Sequence, residues 1–299
     1  MLEIEHRDYR DTLKRCAELG GADLIVTSPP YPDARPGQYG GDAPHDWTWP
    51  DYQALGDAVA AGLRPGGFCA INIDGPVRHW RKGVGSERSL IAFKLALDWA
   101  ERVGLRYVEH CAYLRAGTPG RFGDRWQSGW EPIHVFQRPG PGYFDVNGLL
   151  VPASNAGHVT RKSTYRSASG TSRAQVTQRK AAETRALTSA LGHGAVNQHT
   201  TDSAHPAPFP GWLADAFVLC YSRPGGLVCD PFTGSGTVAI SAAKHGRQFV
   251  GGDLGERLED LERGRTCARW ADVARERMLA AAPPLAPLDS SDDAPIIGA

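Results

Sequence analysis

The chain has 299 residues, of which 41% are hydrophobic, and its 33 basic and 33 acidic side chains give a formal net charge of +0. This length accommodates one large α/β domain with an insertion and a sizeable buried core. The zero net charge excludes overall charge as a source of nucleic-acid affinity, so any such affinity has to come from locally clustered charge.

The six cysteines are scattered, and no Cys-x-x-Cys pair occurs. This spacing argues against a bound structural metal and against a disulfide framework, and it predicts a reducing, cytoplasmic environment. The first seven residues are too charged for a signal peptide, and no apolar run reaches membrane length. We therefore expect no membrane partner and no metal.

The first chemical signal follows a predicted edge strand near residues 3–6 and a predicted helix over residues 9–19. The apolar run 23–26 ends in Thr27-Ser28-Pro29-Pro30-Tyr31. Prolines cannot donate to a strand ladder, so the run predicts a buried strand that stops in a stiff loop. The loop offers a hydroxyl, a backbone carbonyl and an aromatic face, which together suit a planar amine. An ordinary proline turn is the alternative.

Helical and strand patterns then alternate. Segment 32–49 is rich in proline and glycine and is interpreted as a lid over bound ligand, with a plain surface loop as the alternative. Helices are predicted at 51–63 and 90–103, and strands at 68–73 and 107–114. This alternation predicts a mostly parallel sheet covered on both faces, in which ligands bind beyond the carboxyl ends of the strands.

The composition changes over residues 116–203. Residues 132–136 indicate one more strand, and the rest is polar and basic. Residues 161–185 contain one acid, Glu183, and seven basic residues: Arg161, Lys162, Arg166, Arg173, Arg179, Lys180 and Arg185. Such a segment suits contacts with phosphates and base edges of nucleic acid. A disordered loop with incidental positive charge is the alternative.

The second chemical signal is a strand, glycine loop and helix over residues 226–239. Gly234 and Gly236 let backbone N–H groups and the positive helix end approach a ligand closely. A further strand ends in Asp253, at the offset where α/β nucleotide folds place an acid for ribose hydroxyls. No Lys-Ser or Lys-Thr pair closes the loop, which excludes a Walker-type phosphate site. A nicotinamide-dependent dehydrogenase stays an alternative, because Gly234-x-Gly236-x-x-Ala239 with Asp253 also meets the dinucleotide pattern.

Together the two signals resemble the amino-directed DNA methyltransferases that use S-adenosyl-L-methionine. That family's catalytic motif has the form [Asp/Asn/Ser]-Pro-Pro-[Tyr/Phe], and its cofactor motif is similar to residues 230–237. A catalytic motif that precedes the cofactor motif resembles the permuted β group. The element His205-Pro-Ala-Pro-Phe-Pro and an acid ahead of the catalytic strand, Asp8, fit the same order. The resemblance covers residues 1 to about 110 and 200 to 280.

The resemblance implies an α/β, Rossmann-like S-adenosylmethionine methyltransferase fold. In such a fold a mostly parallel sheet carries helices on both faces, the motif order is circularly permuted and a target-recognition region is inserted. We expect a catalytic half at 1–115, a basic, partly flexible recognition insert at 116–203, a cofactor-binding half at 204–282 and a disordered tail at 283–299.

The resemblance also assigns roles. The implied catalytic motif consists of Ser28, Pro29, Pro30 and Tyr31. The Ser28 hydroxyl and the Pro29 carbonyl would accept the amine hydrogens, and Tyr31 would stack on a flipped-out base. The implied cofactor contacts are Asp8, Thr27, Phe209, Asp230, Phe232, Gly234, Ser235, Gly236, Thr237 and Asp253.

The expected substrate is double-stranded DNA. A serine before Pro-Pro-Tyr is commoner in family members that act on the exocyclic amine of cytosine, and adenine is the alternative base. No cysteine follows a proline, which disfavours methylation at ring position 5 of cytosine. A cognate restriction endonuclease and a homodimer are further expected partners. An inactive DNA-binding module is the remaining alternative.

Overall fold

The computed structural model describes eleven stretches of the chain: residues 1–31, 47–79, 85–115, 124–153, 159–160, 163–166, 172–175, 179–180, 182–192, 210–255 and 269–282. Most of the predicted lid, the His205 element with Phe209, and the tail from residue 283 lie outside the described residues.

The described part of the chain contains more strands than helices. They are β1 (Leu2–Glu5), β2 (Ala22–Thr27), β3 (Leu63–Asn72), β4 (Val77–His79), β5 (Ser86–Arg88), β6 (Arg106–Leu114), β7 (Trp130–Gln137), β8 (Leu150–Pro152), β9 (Val159–Thr160), β10 (Ser163–Arg166), β11 (Ser172–Gln175), β12 (Arg179–Lys180), β13 (Thr184–Ala186), β14 (Ala190–Leu191), β15 (Leu227–Asp230) and β16 (Gln248–Gly252).

A central sheet of eight strands has the order β1-β16-β15-β2-β3-β7-β6-β14. Every neighbouring pair is parallel except the two pairs that contain β7, which runs antiparallel to both β3 and β6. The prediction of a mostly parallel α/β sheet is therefore confirmed. Because β7 is reversed, its first residues lie at the edge of the sheet where β2, β3 and β15 end.

The described helices are α1 (Tyr9–Glu18), α2 (Trp49–Gly62), α3 (Ile91–Glu101), α4 (Gly211–Tyr221), α5 (Thr237–Lys244) and α6 (Trp270–Ala281). Two of these helices begin with side-chain caps: the Asp8 carboxylate caps α1, and Thr48 and Asp51 form a capping box at α2. In the described part of the chain, no helix is long and apolar enough to cross a membrane.

Alternation along the central strands divides the core between the two faces of the sheet. Leu24 and Val26 of β2 pack with side chains of α4, α5 and α6, such as Phe217 and Met278. Ile25 packs on the other face with side chains of α1, α2 and α3. A strand whose side chains are buried on both faces needs helices on both faces, as the sequence predicted.

Strand β7 falls inside segment 116–203, which we predicted to be the recognition insert. It nevertheless pairs with β3 through Phe68↔Gln137 to Asn72↔Ile133, in the middle of the central sheet. Strand β14, from the same segment, pairs with the edge of β6. Strand β7 is therefore part of the central sheet, paired on both sides. The boundaries 116–203 of a recognition insert stay a prediction. The part of the segment that leaves the sheet begins after Gln137.

Candidate active site

The two motifs that lie two hundred residues apart in sequence are neighbours in the sheet. Strand β2 pairs with β15 through Leu24↔Val228 and Ile25↔Cys229, so their carboxyl ends lie side by side. At these ends the Thr27 hydroxyl donates a 2.8 Å hydrogen bond to Oδ1 of Asp230. Both side chains are buried. This bond joins the predicted catalytic loop to the predicted cofactor loop.

The predicted catalytic loop after β2 is held in place by a side chain of α2. Pro29 is buried, and Ser28, Pro30 and Tyr31 are partly buried. The Tyr52 hydroxyl of α2 donates a 2.6 Å hydrogen bond to the Pro30 carbonyl. Two prolines and this bond restrict the backbone of the loop, so its polar groups are presented in a fixed arrangement.

The Tyr31 hydroxyl is anchored to two neighbouring strands. It donates to Oδ1 of Asn72 at 3.0 Å and lies 3.3 Å from Oε2 of Glu131. The Ser28 hydroxyl also hydrogen-bonds to it. Burial, and then the negative charge of Glu131, raise the pKa of the Tyr31 phenol well above its usual value. The phenol therefore stays protonated and acts as a neutral donor at any working pH.

The glycine loop after β15 is organised by two carboxylates. Asp230 Oδ1 accepts from the Phe232 N–H at 3.1 Å. Asp253, at the end of β16, accepts from the N–H groups of Gly234 and Gly255, each at 2.7 Å. Gly236 has φ +85° and caps α5, a conformation that glycine adopts without strain. The loop is thus folded tightly around the strand ends.

The same two carboxylates have raised pKa values, so each favours its neutral form more than usual. Burial raises the pKa of Asp230 to about 7, against the lowering effect of its bonds from Thr27 and Phe232 and with a further rise from Asp253. Burial also raises the pKa of Asp253. A cationic group beside Asp230 would favour its ionised form and return its pKa towards the usual value.

Aromatic side chains wall one side of the glycine loop. The Phe232 ring lies 5.3 Å from Trp47 and 5.5 Å from Tyr9, measured between ring centroids. Trp47 is 6% exposed, although it lies within the predicted lid, near its end. The indole N–H of Trp47 and the hydroxyl of Tyr9 are buried and make no hydrogen bond to a described residue.

The other predicted site residues differ in where they lie and in how much of them the structure describes. Asp8 accepts from the Arg10 N–H at 2.8 Å as the cap of α1, which is a structural use of its carboxylate. Ser235 is buried in the glycine loop and Thr237 begins α5. Arg185 is exposed. Of the other predicted DNA-contacting residues, Arg161 and Lys162 lie outside the described residues, and only the backbone is described for Arg166, Arg173, Arg179 and Lys180.

Sequence reasoning missed the side chains that hold the catalytic loop, namely Tyr52, Asn72 and Glu131. A signal existed for the last two, because each is a polar residue next to a buried strand run, Asn72 within residues 68–73 and Glu131 just before residues 132–136. The described residues contain no group of three or more histidine, cysteine or acidic side chains arranged to hold a metal ion.

The fold of the chain is similar to that of solved DNA methyltransferase structures. It matches the structure of the cytosine-N4-specific PvuII DNA methyltransferase with a TM-score of 0.56 and 17% identity, over 92% of this chain and 89% of that one. It matches a putative DNA modification methylase of Thermus thermophilus, in complex with S-adenosyl-L-methionine, with a TM-score of 0.55 and 22% identity, over 95% and 96% of the two chains.

The family follows from sequence. The model of the DNA methylase family, designated N6_N4_Mtase, matches residues 22–262. The chain belongs to this family, and the family resemblance of the two motifs is confirmed.

Curated relatives match over shorter stretches. The orphan methyltransferase M.BamHII of Bacillus amyloliquefaciens is 36% identical over 74 residues, which is 25% of this chain and 23% of that protein. The type II methyltransferase M.SmaI of Serratia marcescens is 39% identical over 84 residues, 28% of this chain and 25% of that protein. The matched segment thus spans about a quarter of each relative.

Proposed function

We propose that this protein transfers a methyl group from S-adenosyl-L-methionine to the exocyclic amine of a flipped-out cytosine in double-stranded DNA. The observation that carries the proposal is the bond between Thr27 and Asp230, which sets an amine-binding loop next to a glycine loop. Family membership and the fold of the similar structures support the same interpretation.

The chemistry of the glycine loop fits this cofactor. S-adenosyl-L-methionine is cationic at its ammonium and sulfonium groups, and bound at this site it supplies an electrophilic methyl group. Asp230 would face the ammonium group, since its described hydrogen bonds both end on Oδ1. Asp253 would accept the ribose hydroxyls, because a carboxylate that already takes two backbone N–H groups still has lone pairs to offer.

The glycine loop and the aromatic side chains beside it would contact the rest of the cofactor. The N–H groups of the glycine loop and the positive end of α5 would surround the carboxylate end of the methionine part. The aromatic wall of Tyr9, Trp47 and Phe232 would pack on an apolar or aromatic part of the ligand. A contact of Asp8 with the adenine amine stays a prediction.

The catalytic loop would make the amine nucleophilic. The lone pair of an exocyclic amine is delocalised into the base, and in a duplex the amine is also enclosed in the stack, so the base has to be flipped out. The Ser28 hydroxyl and the Pro29 carbonyl would accept the two amine hydrogens and favour a tetrahedral nitrogen. Tyr31 would stack on the ring, a contact worth about 1–3 kcal/mol per base.

Serine at the first motif position supports cytosine as the base. A hydroxyl serves an adenine amine equally well in principle, so adenine is the outcome that would change the base and keep the mechanism. An exposed Arg185 and the basic residues of the recognition segment would contact DNA phosphates. A cognate restriction endonuclease and a homodimer remain predictions.

The test is incubation of the purified protein with S-adenosyl-L-methionine and mixed-sequence DNA, followed by digestion and mass spectrometry of the nucleosides. We expect methylation at the exocyclic amine of cytosine. Methylation at the adenine amine would overturn the base assignment. Binding of a nicotinamide dinucleotide, without binding of S-adenosyl-L-methionine, would overturn the proposal and favour a dehydrogenase.

Two variants connect the activity to the catalytic loop. Ser28→Ala should lower the rate of methylation by about 10²-fold, because the amine loses one of its two acceptors. Leu279→Ala is the control, since Leu279 is 58% exposed on α6. Equal activity of Ser28→Ala and Leu279→Ala would contradict the assigned role.

A further inference from the structure

Besides its bond with Ser28 of the same motif, the Tyr31 hydroxyl is held by two side chains that belong to neither motif. In the described part of the chain its hydroxyl contacts Asn72, at the end of β3, and Glu131, near the start of β7. These two strands are adjacent and antiparallel, with Asn72 opposite Ile133. The catalytic aromatic ring is therefore tied to two rigid strands and not only to its own loop.

Asn72 and Glu131 are each held by a further hydrogen bond. The Asn72 amide donates to the Pro132 carbonyl at 3.1 Å and is 5% exposed. This bond orients the amide so that its oxygen points to Tyr31. The two oxygens of Glu131 are divided, because Oε1 accepts from Arg115 at 2.6 Å and Oε2 lies towards Tyr31.

The Glu131 carboxylate lies where few water molecules reach it. The Glu131 side chain is only 14% exposed, although Arg115 is 46% exposed, so a carboxylate is largely desolvated at the rim of the site. Removing a charge from water costs free energy unless hydrogen bonds replace the water. A hydroxyl that needs one acceptor is given two, which indicates that its position matters.

We propose that Glu131, with Asn72, is a positioning residue that fixes the angle of the Tyr31 ring against the flipped base, and that Arg115 sets the carboxylate of Glu131. The inference rests on the proposed function, since it assigns a purpose to the orientation of Tyr31. A tyrosine ring has a broad torsional well about its second side-chain bond. Anchoring the far end of the ring removes that freedom before the base arrives.

A double-mutant cycle tests the proposal. Glu131→Gln offers a single oxygen where two acceptors are needed, and we expect it to lower kcat by about 10- to 100-fold with an unchanged Kd for S-adenosyl-L-methionine. In a Tyr31→Phe background the hydroxyl is absent, so the same change should lower kcat by less than about twofold. An equal loss in both backgrounds would show a general structural role and overturn the proposal.

Two further variants keep the test decisive. Tyr31→Phe alone should lower kcat about as much as Glu131→Gln, and wild-type activity of Tyr31→Phe would overturn the proposal even if Glu131→Gln does not fold. Glu109→Gln is the matched control, because Glu109 is an exposed glutamate on the neighbouring strand β6. It should leave kcat unchanged.

The anchoring is also measurable without DNA. With ring-labelled tyrosine, the NMR signal of Tyr31 is assigned by its absence from Tyr31→Phe. Glu131→Gln should shift and broaden this signal, whereas Glu109→Gln should leave it in place. An unchanged signal in Glu131→Gln would overturn the anchoring itself, while an absence of methylation by the wild-type protein would overturn only the proposed function.

Discussion

At the scale of single residues, Asp230 combines two demands that oppose each other. It is buried and hydrogen-bonded to Thr27 and to the Phe232 N–H, yet its pKa is raised to about 7. Burial of its charge therefore works against folding in the absence of a cation. A site that is costly to fold when empty is typical of a residue kept for binding.

Asp230→Asn should stabilise the protein and weaken the binding of S-adenosyl-L-methionine. An amide oxygen keeps both bonds at Oδ1, and the charge is lost. Since the folded pKa is about 7 and the usual value is 3.8, the stability that Asp230 contributes is complete below about pH 4 and is lost as the pH rises through 7. Urea denaturation should therefore show Asp230→Asn gaining up to about 4 kcal/mol over wild type at pH 8 and almost nothing at pH 4.

The affinity of the wild-type protein for the cofactor should rise with pH, whereas the stability that Asp230 contributes falls. If only the ionised form of Asp230 binds the cation, the affinity should rise about tenfold between pH 6 and pH 8, as the competent fraction grows. Calorimetric titration at several pH values measures this, with Asp230→Asn as the control that lacks the rise. The same pH dependence in both proteins would contradict the role of Asp230.

At the scale of elements, the start of α5 depends on a close approach between two backbones. Gly236 adopts φ +85°, and a Cβ atom built there would lie 2.8 Å from the Cβ of Ala274 on α6. Helix α6 also reaches the sheet edge, where the Arg275 guanidinium donates to the Ile4 carbonyl of β1 at 2.6 Å. The conformation of the glycine loop thus depends on the packing between α5 and α6 as well as on its hydrogen bonds to Asp230 and Asp253.

Gly236→Ala should destabilise the fold by about 2–5 kcal/mol, because a left-handed conformation and an overpacked contact both add to the cost. Gly225→Ala is a matched control, since Gly225 has φ +75° and a Cβ there would meet nothing within 4 Å. It should cost only about 1–2 kcal/mol. Denaturation midpoints measure both, and equal losses would show that the contact with Ala274 contributes nothing.

At the scale of the whole molecule, the two ends of the described chain share one sheet. Strand β15 lies between β2 and β16, and β16 in turn pairs with β1. Helices α1, α2 and α3 pack on one face of this sheet, and α4, α5 and α6 on the other. Neither the first nor the last part of the described chain contains a complete core.

Cleavage between residues 193 and 209, at an introduced protease site, should therefore leave the two pieces associated. We expect them to elute together in gel filtration and to unfold in one transition, with a Kd below about 1 µM. Expressed separately, residues 1–192 should show no cooperative thermal transition by circular dichroism. A cooperative transition of that piece alone would show that it has a core of its own.

Much of this architecture was predictable from local pattern. The apolar runs located β2 and β6, and the helical spacing located α1, α2 and α3, each to within a few residues. The two loops were expected at strand ends. The place of β7 was not predicted, because a short apolar run does not tell which strands it joins. The anchoring of Tyr31 was also missed, since its partners Asn72 and Glu131 lie 41 and 100 residues away in sequence.

The reversed direction of β7 has a consequence for how such a protein can diversify. Strands β6 and β7 are antiparallel neighbours, with Leu114 opposite Trp130, so the connection between them is attached at the edge of the sheet that carries Tyr31. Its length and sequence can change while the ladder below stays in register. An engineer who exchanges that connection between homologues would alter the surroundings of the Tyr31 ring and leave the scaffold intact.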